Sequence, residues 1–250
     1  MDLGALYRQT RRRLTELIGG LDAVRLATPV PACPGWTVRD VLAHVVSIPE
    51  DAAAGRLTGL PTDDFTAEQL ARLAGVPVAQ LLDRWSASAP EFERGIAAFE
   101  VWPAVIDLAS HEQDIRGALG EPGARDCPAI RASMKRLMSS IEPPAPIMII
   151  TEDGEYRPGA VEREQGGERD DGGGDLEARG GERWPGGGDL EAGGTEPPLT
   201  LSTSRFEAFR WRMGRRSLAQ LAAMDWSAQP SPAVLGSLTI FGPAAADVHE

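Results

Sequence analysis

Apolar residues recur at helical spacing along most of the first 120 positions of the chain. Residues 2–18 predict an amphipathic helix that a pair of glycines ends. After a proline-rich turn, Thr37 is a suitable N-cap for a second helix, which starts near Val38. Pro49 is expected to limit this helix, because proline lacks the backbone N–H that a helix interior uses.

Three further segments carry helical patterns: residues 66–74, 78–99 and 103–119. Pro90 is a point where the second of them could kink or break, and Gly120 is a stop signal for the third. Four substantial helices joined by short or moderate connections within about 140 residues predict an antiparallel four-helix bundle.

The pattern changes past Ile141, where a proline-rich linker leads into a β-strand over residues 147–151. A second strand is predicted over residues 199–203, followed by a helix capped by Ser204. A further helix is expected from Ser217. The sequence therefore predicts a helical bundle over residues 1–141 and a small α+β domain over residues 145–250.

A glycine-rich acidic segment at residues 162–197 interrupts the second domain. Its sequence from Gly166 is nearly repeated from Gly180, and it carries −7 of the net charge of −12. Because glycine-rich sequence cannot repay the entropy of ordering, we predict a flexible insert. The alternative is an acidic docking or cation-binding loop, although its spacing does not match a calcium loop. The remaining chain is mildly acidic, which argues against nucleic-acid binding.

No apolar run approaches the roughly 20 residues that cross a bilayer, so we expect a cytoplasmic protein without membrane partners. Cys33 and Cys127 lie far apart without metal-finger spacing and are expected to be free thiols with a structural role. Trp36 and Trp85 are expected to pack inside the bundle.

Histidine is scarce, and two of the three histidines lie on predicted helices. Asp107 and His111 are one helical turn apart, close enough to hold one divalent ion, with His44 from a facing helix as a third ligand. Two nitrogens, one oxygen and an open position would form a catalytic metal site. The alternative is that each histidine is an isolated interfacial residue and the acids are solvated. No serine or cysteine has a nucleophile setting such as GxSxG.

Residues 34–44, PGWTVRDVLAH, and residues 107–120, DLASHEQDIRGALG, resemble the two metal-site motifs of the mycothiol-dependent maleylpyruvate isomerase family, within the DinB-like superfamily. Residues 206–226, which include Gly-Arg-Arg-Ser at 214–217, are similar to the second domain of that family. The resemblance spans both predicted domains and excludes the repeat.

This resemblance implies a DinB-like bundle that binds zinc or a similar divalent metal through His44, Asp107 and His111. Family members often carry glutamate where this chain has Asp107. With the shorter side chain, either the helices approach more closely or the carboxylate binds through water.

The resemblance also implies that Asp114 lies near the active site and that either Arg215 or Arg216 projects into the cleft. One of these arginines would hold a substrate carboxylate or stabilise developing negative charge, unless both only satisfy carbonyls at a helix end. Asp114 would orient a ligand or move a proton.

The family uses mycothiol, whose sulfur adds to an electrophilic substrate and yields an isomerised double bond or a conjugate. We therefore expect a metal-dependent isomerase or S-transferase whose partners are a small substrate and this low-molecular-weight thiol, as a monomer or homodimer. A non-catalytic binding module that has lost its metal is one alternative. Metal-assisted hydrolysis, with Asp114 as general base, is another.

Overall fold

The computed structural model describes residues 1–159 and 198–250. The predicted insert at residues 162–197 lies outside these described residues. Among the residues described, no helix is both long enough and apolar enough to cross a membrane.

Four helices enclose the core of the N-terminal region: α1 (Leu3–Gly19), α3 (Val38–Ala53), α5 (Val78–Phe99) and α6 (Trp102–Leu119). Helix α1 packs on α5 and α6, and α3 packs on the same two helices, which closes a four-helix bundle. Its interior is apolar and includes Leu14, Leu42, Trp85, Ile96 and Leu108. The predicted bundle is confirmed.

Three helices flank this bundle: α2 (Ala23–Leu26), α4 (Asp63–Leu73) and α7 (Pro128–Ser139). Helix α4 packs on α3, and α7 packs on α6. The sequence patterns did not indicate α2 or α7. In α7 the residue at the N-cap, Cys127, makes no side-chain capping bond, so the strongest local start signal is missing.

The expectation that Pro49 limits its helix is wrong, because α3 continues to Ala53. The turn beyond Pro49 carries Asp51, which is buried and bonded to Arg72 of α4 at 2.6 Å. Helix α5 likewise runs unbroken through Pro90, and Glu93, one turn later, is bonded to Arg11 of α1 at 3.0 Å. In both helices an anchored carboxylate stabilises the turn that follows the proline.

A mixed sheet forms the base of the C-terminal region. Its strands are β1 (Ile147–Thr151), β2 (Gly154–Tyr156), β3 (Leu199–Ser202) and β4 (Asp225–Trp226), in the spatial order β2-β1-β3-β4. Strands β1 and β3 are parallel, with Ile149 opposite Leu201, and the two outer pairs are antiparallel. Helices α8 (Arg205–Arg212), α9 (Leu218–Ala222) and α10 (Pro232–Ser237) complete the C-terminal region. The predicted α+β class is confirmed, whereas the exact domain boundary stays a prediction.

Helix α8 fastens the C-terminal region to the bundle. Arg210 donates to the carbonyl oxygen of Ser110 at 3.2 Å and to Asp114 at 2.7 Å, both on α6. Arg212 donates to the carbonyl oxygen of Ser140 at 2.8 Å, just past α7. The face of α6 that bears Asp114 is therefore buried against α8.

The contact between α1 and α5 is close enough to require glycine at position 4. A Cβ atom there would lie 2.3 Å from the carbonyl oxygen of Glu93. Replacing Gly4 by alanine should therefore lower the free energy of unfolding by about 1–3 kcal/mol, as overpacking does. Urea denaturation followed by circular dichroism measures this change.

Gly95→Ala is the matched control, because Gly95 lies inside α5 and a Cβ there meets nothing within 4 Å. This variant should be as stable as the wild type or up to about 1 kcal/mol more stable, since alanine is the better helix former. Equal stability of Gly4→Ala and wild type would contradict the close approach of the helices.

Candidate metal centre

Two imidazoles and one carboxylate meet between α3 and α6. His111 Nε2 lies 3.4 Å from Asp107 Oδ1, and His44 Nε2 lies 3.8 Å from Asp107 Oδ2. The centres of the two imidazole rings are 5.1 Å apart. Both histidines are buried, whereas 39% of the Asp107 side chain is exposed. The cluster is therefore closed on the histidine side and accessible at the carboxylate.

Helix α4 sets the orientation of the His44 ring. Gln69 of α4 is fully buried, and its Oε1 atom lies 3.0 Å from His44 Nδ1. Because Nδ1 is engaged by this amide, the other ring nitrogen, Nε2, is the one turned toward Asp107.

A carboxylate on α6 sets the orientation of the His111 ring. Asp114 lies three residues after His111, and its Oδ2 atom is 2.9 Å from His111 Nδ1. The Nε2 atom of His111 therefore also faces Asp107. Both histidines thus use Nδ1 for an orienting hydrogen bond and present Nε2 to the same carboxylate.

This donor set fits a divalent ion. In a tetrahedral zinc site with bonds of 2.0–2.1 Å, neighbouring ligand atoms are about 3.4 Å apart, close to the two nitrogen–oxygen distances observed. Metal-bound histidines commonly donate their second ring N–H to a carboxylate or another acceptor. Each ring here has such a group beside Nδ1, which is Gln69 Oε1 for His44 and Asp114 Oδ2 for His111. Asp107 is long enough to reach both imidazoles, so the shorter acid does not prevent convergence.

The cluster is strongly polarised. Burial alone would raise the pKa of Asp107, but the charge and hydrogen bond of His111, followed by those of His44, hold it well below its usual range. Burial alone would lower the pKa of His111, yet the Asp107 carboxylate outweighs burial and raises it well above its usual value. A proton on His111 therefore competes with a cation for the same nitrogen.

Asp114 is fully buried between α6 and the C-terminal region. It accepts hydrogen bonds from Arg210 at 2.7 Å and from Arg215 at 2.9 Å, as well as facing His111. Burial alone would raise the pKa of Asp114, but Arg215, then Arg210 and then His111 hold it well below its usual range. Asp114 is therefore an ionised acceptor.

The structure brings only one of the two predicted arginines to this cluster. Arg215 spans Asp114 with its Nε and Nη2 atoms. Arg216 instead makes a two-pronged ion pair with Glu207, at 2.8 and 2.6 Å. Gly214, at φ +75°, lies in the turn between the end of α8 and the two arginines.

A cleft of about 840 Å³ lies near the cluster, although His44, Asp107 and His111 do not line it. It is bounded by the proline-rich turn at residues 29–37, by Gly214 and Arg215, and by residues 241–247. Trp36 lines this cleft, and its ring centre lies 5.4 Å from that of His44 and 6.3 Å from that of His111. Trp85, in contrast, lies in the bundle core and donates to the Tyr7 hydroxyl at 3.3 Å.

Sequence reasoning missed several residues that touch the cluster. The Cys33 thiol lies 3.4 Å from Asp114 Oδ2 and 3.9 Å from Arg215 Nη2, and burial followed by the Asp114 charge raises its pKa. Its position directly before Pro34-Gly35-Trp36 was an available signal. Gln69 and Arg210 carried no local signal, because only the packing of α4 brings Gln69 to His44 and only the packing of α8 brings Arg210 to Asp114.

A protein-family model matches the N-terminal part of the chain. The model of the mycothiol maleylpyruvate isomerase N-terminal domain matches residues 7–116, which include both histidines, Asp107 and Asp114. A search of curated proteins found no match.

Among solved structures, the chain is similar to a crystal structure of the mycothiol-dependent maleylpyruvate isomerase that carries a histidine-to-alanine mutation. The TM-score is 0.55 and the identity 13%, with 93% of this chain and 95% of that chain covered. At this identity the likeness establishes the fold across both the bundle and the C-terminal region. The family model covers 110 of the 250 residues, so the N-terminal bundle of this chain is similar to the mycothiol maleylpyruvate isomerase N-terminal domain.

Proposed function

We propose that this chain is a metal-dependent enzyme that uses mycothiol to isomerise, or to form a conjugate with, a small electrophilic substrate. One observation carries the proposal: two buried imidazoles turn Nε2 toward one partly exposed carboxylate. A cleft lined by Trp36 and Arg215 lies nearby. The match of residues 7–116 to the family model supports mycothiol as the thiol. The particular substrate, for which maleylpyruvate is the first candidate, follows from the family name.

The metal ligands in this proposal are His44, Asp107 and His111, and zinc suits their two nitrogens and one oxygen. A divalent ion held there would acidify a thiol that reaches it, so that the thiol reacts as a thiolate near neutral pH. A protein cysteine is not required for this role, and the raised pKa of Cys33 makes it a poor nucleophile.

Asp114 serves as a positioning residue in this reaction. It is ionised and saturated by Arg210, Arg215 and His111, so it accepts hydrogen bonds and has no proton to give. Its geometry supports the role of orienting His111 rather than moving a proton.

Arg215 supplies positive charge to the cleft. Burial alone would lower its pKa, but the Asp114 carboxylate outweighs burial and raises it, so the guanidinium stays charged. Asp114, the carbonyl oxygen of Met213 and the Cys33 sulfur engage four of its five N–H groups. The remaining N–H group can hold an anionic group of the substrate or stabilise charge that develops on it. Trp36 lines the same cleft, and its ring centre lies 5.4 Å from that of His44 and 6.3 Å from that of His111.

The purified wild-type protein should bind one divalent ion per chain. Replacing His44, Asp107 or His111 by alanine should weaken zinc binding by more than about 100-fold, because loss of an orienting partner alone commonly costs 10–100-fold. Competition with a chromogenic chelator measures the affinity.

His249→Ala is the control for this series, because His249 is exposed and belongs to the C-terminal segment. It should bind zinc as the wild type does. Wild-type affinity in all three ligand variants would exclude the proposed site.

Zinc affinity should fall as the pH is lowered. The pKa of His111 is raised by Asp107, and only neutral imidazole binds a metal, so acid favours the protonated, non-binding form. Calorimetric titration in buffers of different ionisation enthalpy should show proton release on zinc binding, and the release should disappear in His111→Ala. Proton release that persists unchanged in this variant would contradict the argument.

Turnover of maleylpyruvate, or of another small electrophilic alkene, should require added mycothiol. The metal-loaded protein is assayed with and without the thiol, and His44→Ala serves as the inactive control. Equal turnover without thiol would contradict the proposal and would favour hydrolysis by a bound water. No turnover under either condition, in a protein that binds no zinc, would favour a binding module.

A further inference from the structure

A buried line of polar side chains leads from the surface of the bundle to His44. Arg72 donates to Asp51 at 2.6 Å, Gln69 Nε2 donates to Asp51 Oδ2 at 2.7 Å, and Gln69 Oε1 meets His44 Nδ1 at 3.0 Å. Asp51 and Gln69 are fully buried. Burying a carboxylate and an amide is unfavourable unless they are hydrogen-bonded. These hydrogen bonds therefore stabilise Asp51 and Gln69 in their buried positions.

The direction of every hydrogen bond in the line is set at its outer end. Asp51 receives Arg72 and Arg56, at 2.6 and 2.7 Å, in addition to the Gln69 amide. A carboxylate paired with two guanidinium groups is an acceptor only. The donor that faces it from Gln69 must therefore be the amide nitrogen.

This constraint passes through Gln69 to the histidine. With its nitrogen on Asp51, Gln69 can offer only its oxygen to His44, and an amide oxygen accepts hydrogen bonds without donating them. His44 Nδ1 must then carry the hydrogen. In the neutral ring, Nε2 is left with its lone pair, and Nε2 is the atom that faces Asp107.

We infer that Asp51 and Gln69 are positioning residues that hold His44 as the Nδ1–H tautomer, with Nε2 ready to bind the metal. The inference rests on the proposed metal function and adds a role for α4. This helix supplies both Gln69 and Arg72 and packs on α3, whose last turn holds Asp51.

Zinc affinity of the folded protein provides the first test. Gln69→Met keeps the size of the side chain but removes the acceptor, and it should weaken zinc binding by about 10–100-fold. The double variant Gln69→Glu with Asp51→Asn exchanges the carboxylate and the amide. It keeps an acceptor on His44 and a donor toward position 69, so its affinity should stay within about threefold of wild type, well inside the range expected for Gln69→Met.

Ser47→Ala is the structural control. Ser47 is buried in the same helix as His44, and its hydroxyl only donates to the carbonyl oxygen of Ala43 at 2.9 Å. This variant should bind zinc with wild-type affinity. Wild-type affinity in Gln69→Met would overturn the inference, and so would a double variant that binds as weakly as Gln69→Met.

The tautomer itself gives a readout that is independent of metal binding. Nitrogen NMR of the zinc-free wild-type protein at alkaline pH, where the ring is neutral, should show His44 with its hydrogen on Nδ1. Gln69→Met should shift the ring toward the Nε2–H form. An Nε2–H tautomer in the wild type would overturn the inference even if zinc binds. A wild type that binds no zinc but shows the Nδ1–H form would refute the metal function alone.

Discussion

A hydrogen-bond acceptor at one nitrogen of an imidazole orients the ring and strengthens metal binding through the other nitrogen, and two buried imidazoles here each have such a partner. Asp114 provides the acceptor for His111, and Gln69 provides it for His44. Both acceptors are buried and therefore need further hydrogen-bond partners. Asp114 accepts from Arg210, and the Gln69 amide donates to Asp51, which in turn accepts from Arg72. Much of the polar interior of the protein supplies these partners.

The donors come from outside the four-helix core, which explains why the bundle carries additional elements. Helix α4 brings Arg72 to Asp51, and α8 brings Arg210 to Asp114. Arg210 is itself fully buried and forms an ion pair with the side chain of Glu250. Gly117 leaves room for that side chain, since a Cβ there would lie 2.8 Å from Glu250 Cγ. The C-terminal region is thus part of the support of the site as well as a wall of its cleft.

The sequence was informative wherever a function depends on neighbours along one helix. Asp107 and His111 are one turn apart, so their convergence followed from helix geometry, and His44 followed from its place on a packing helix and from its motif. The orienting groups could not be predicted in this way. Gln69 lies 25 residues from His44, and Arg210 lies 96 residues from Asp114. Arg215 and Arg216 are adjacent cations, and only their tertiary partners, Asp114 and Glu207, distinguish them. The prediction that Pro49 limits α3 was wrong because the ion pair that stabilises the turn beyond it, between Asp51 and Arg72, is a tertiary contact.

X-ray absorption at the zinc edge of thiol-free, zinc-loaded protein identifies the atoms that hold the ion. If His44, Asp107 and His111 bind zinc, the ligands are light atoms at about 2.0–2.2 Å, with the multiple-scattering signature of two imidazoles and no sulfur. Cys33, His111 and Asp114 form a second group whose donor atoms lie within 4.8 Å of one another. A zinc–sulfur distance of about 2.3 Å, lost in Cys33→Ser, would place the ion in this second group and would exclude binding by His44, Asp107 and His111 alone.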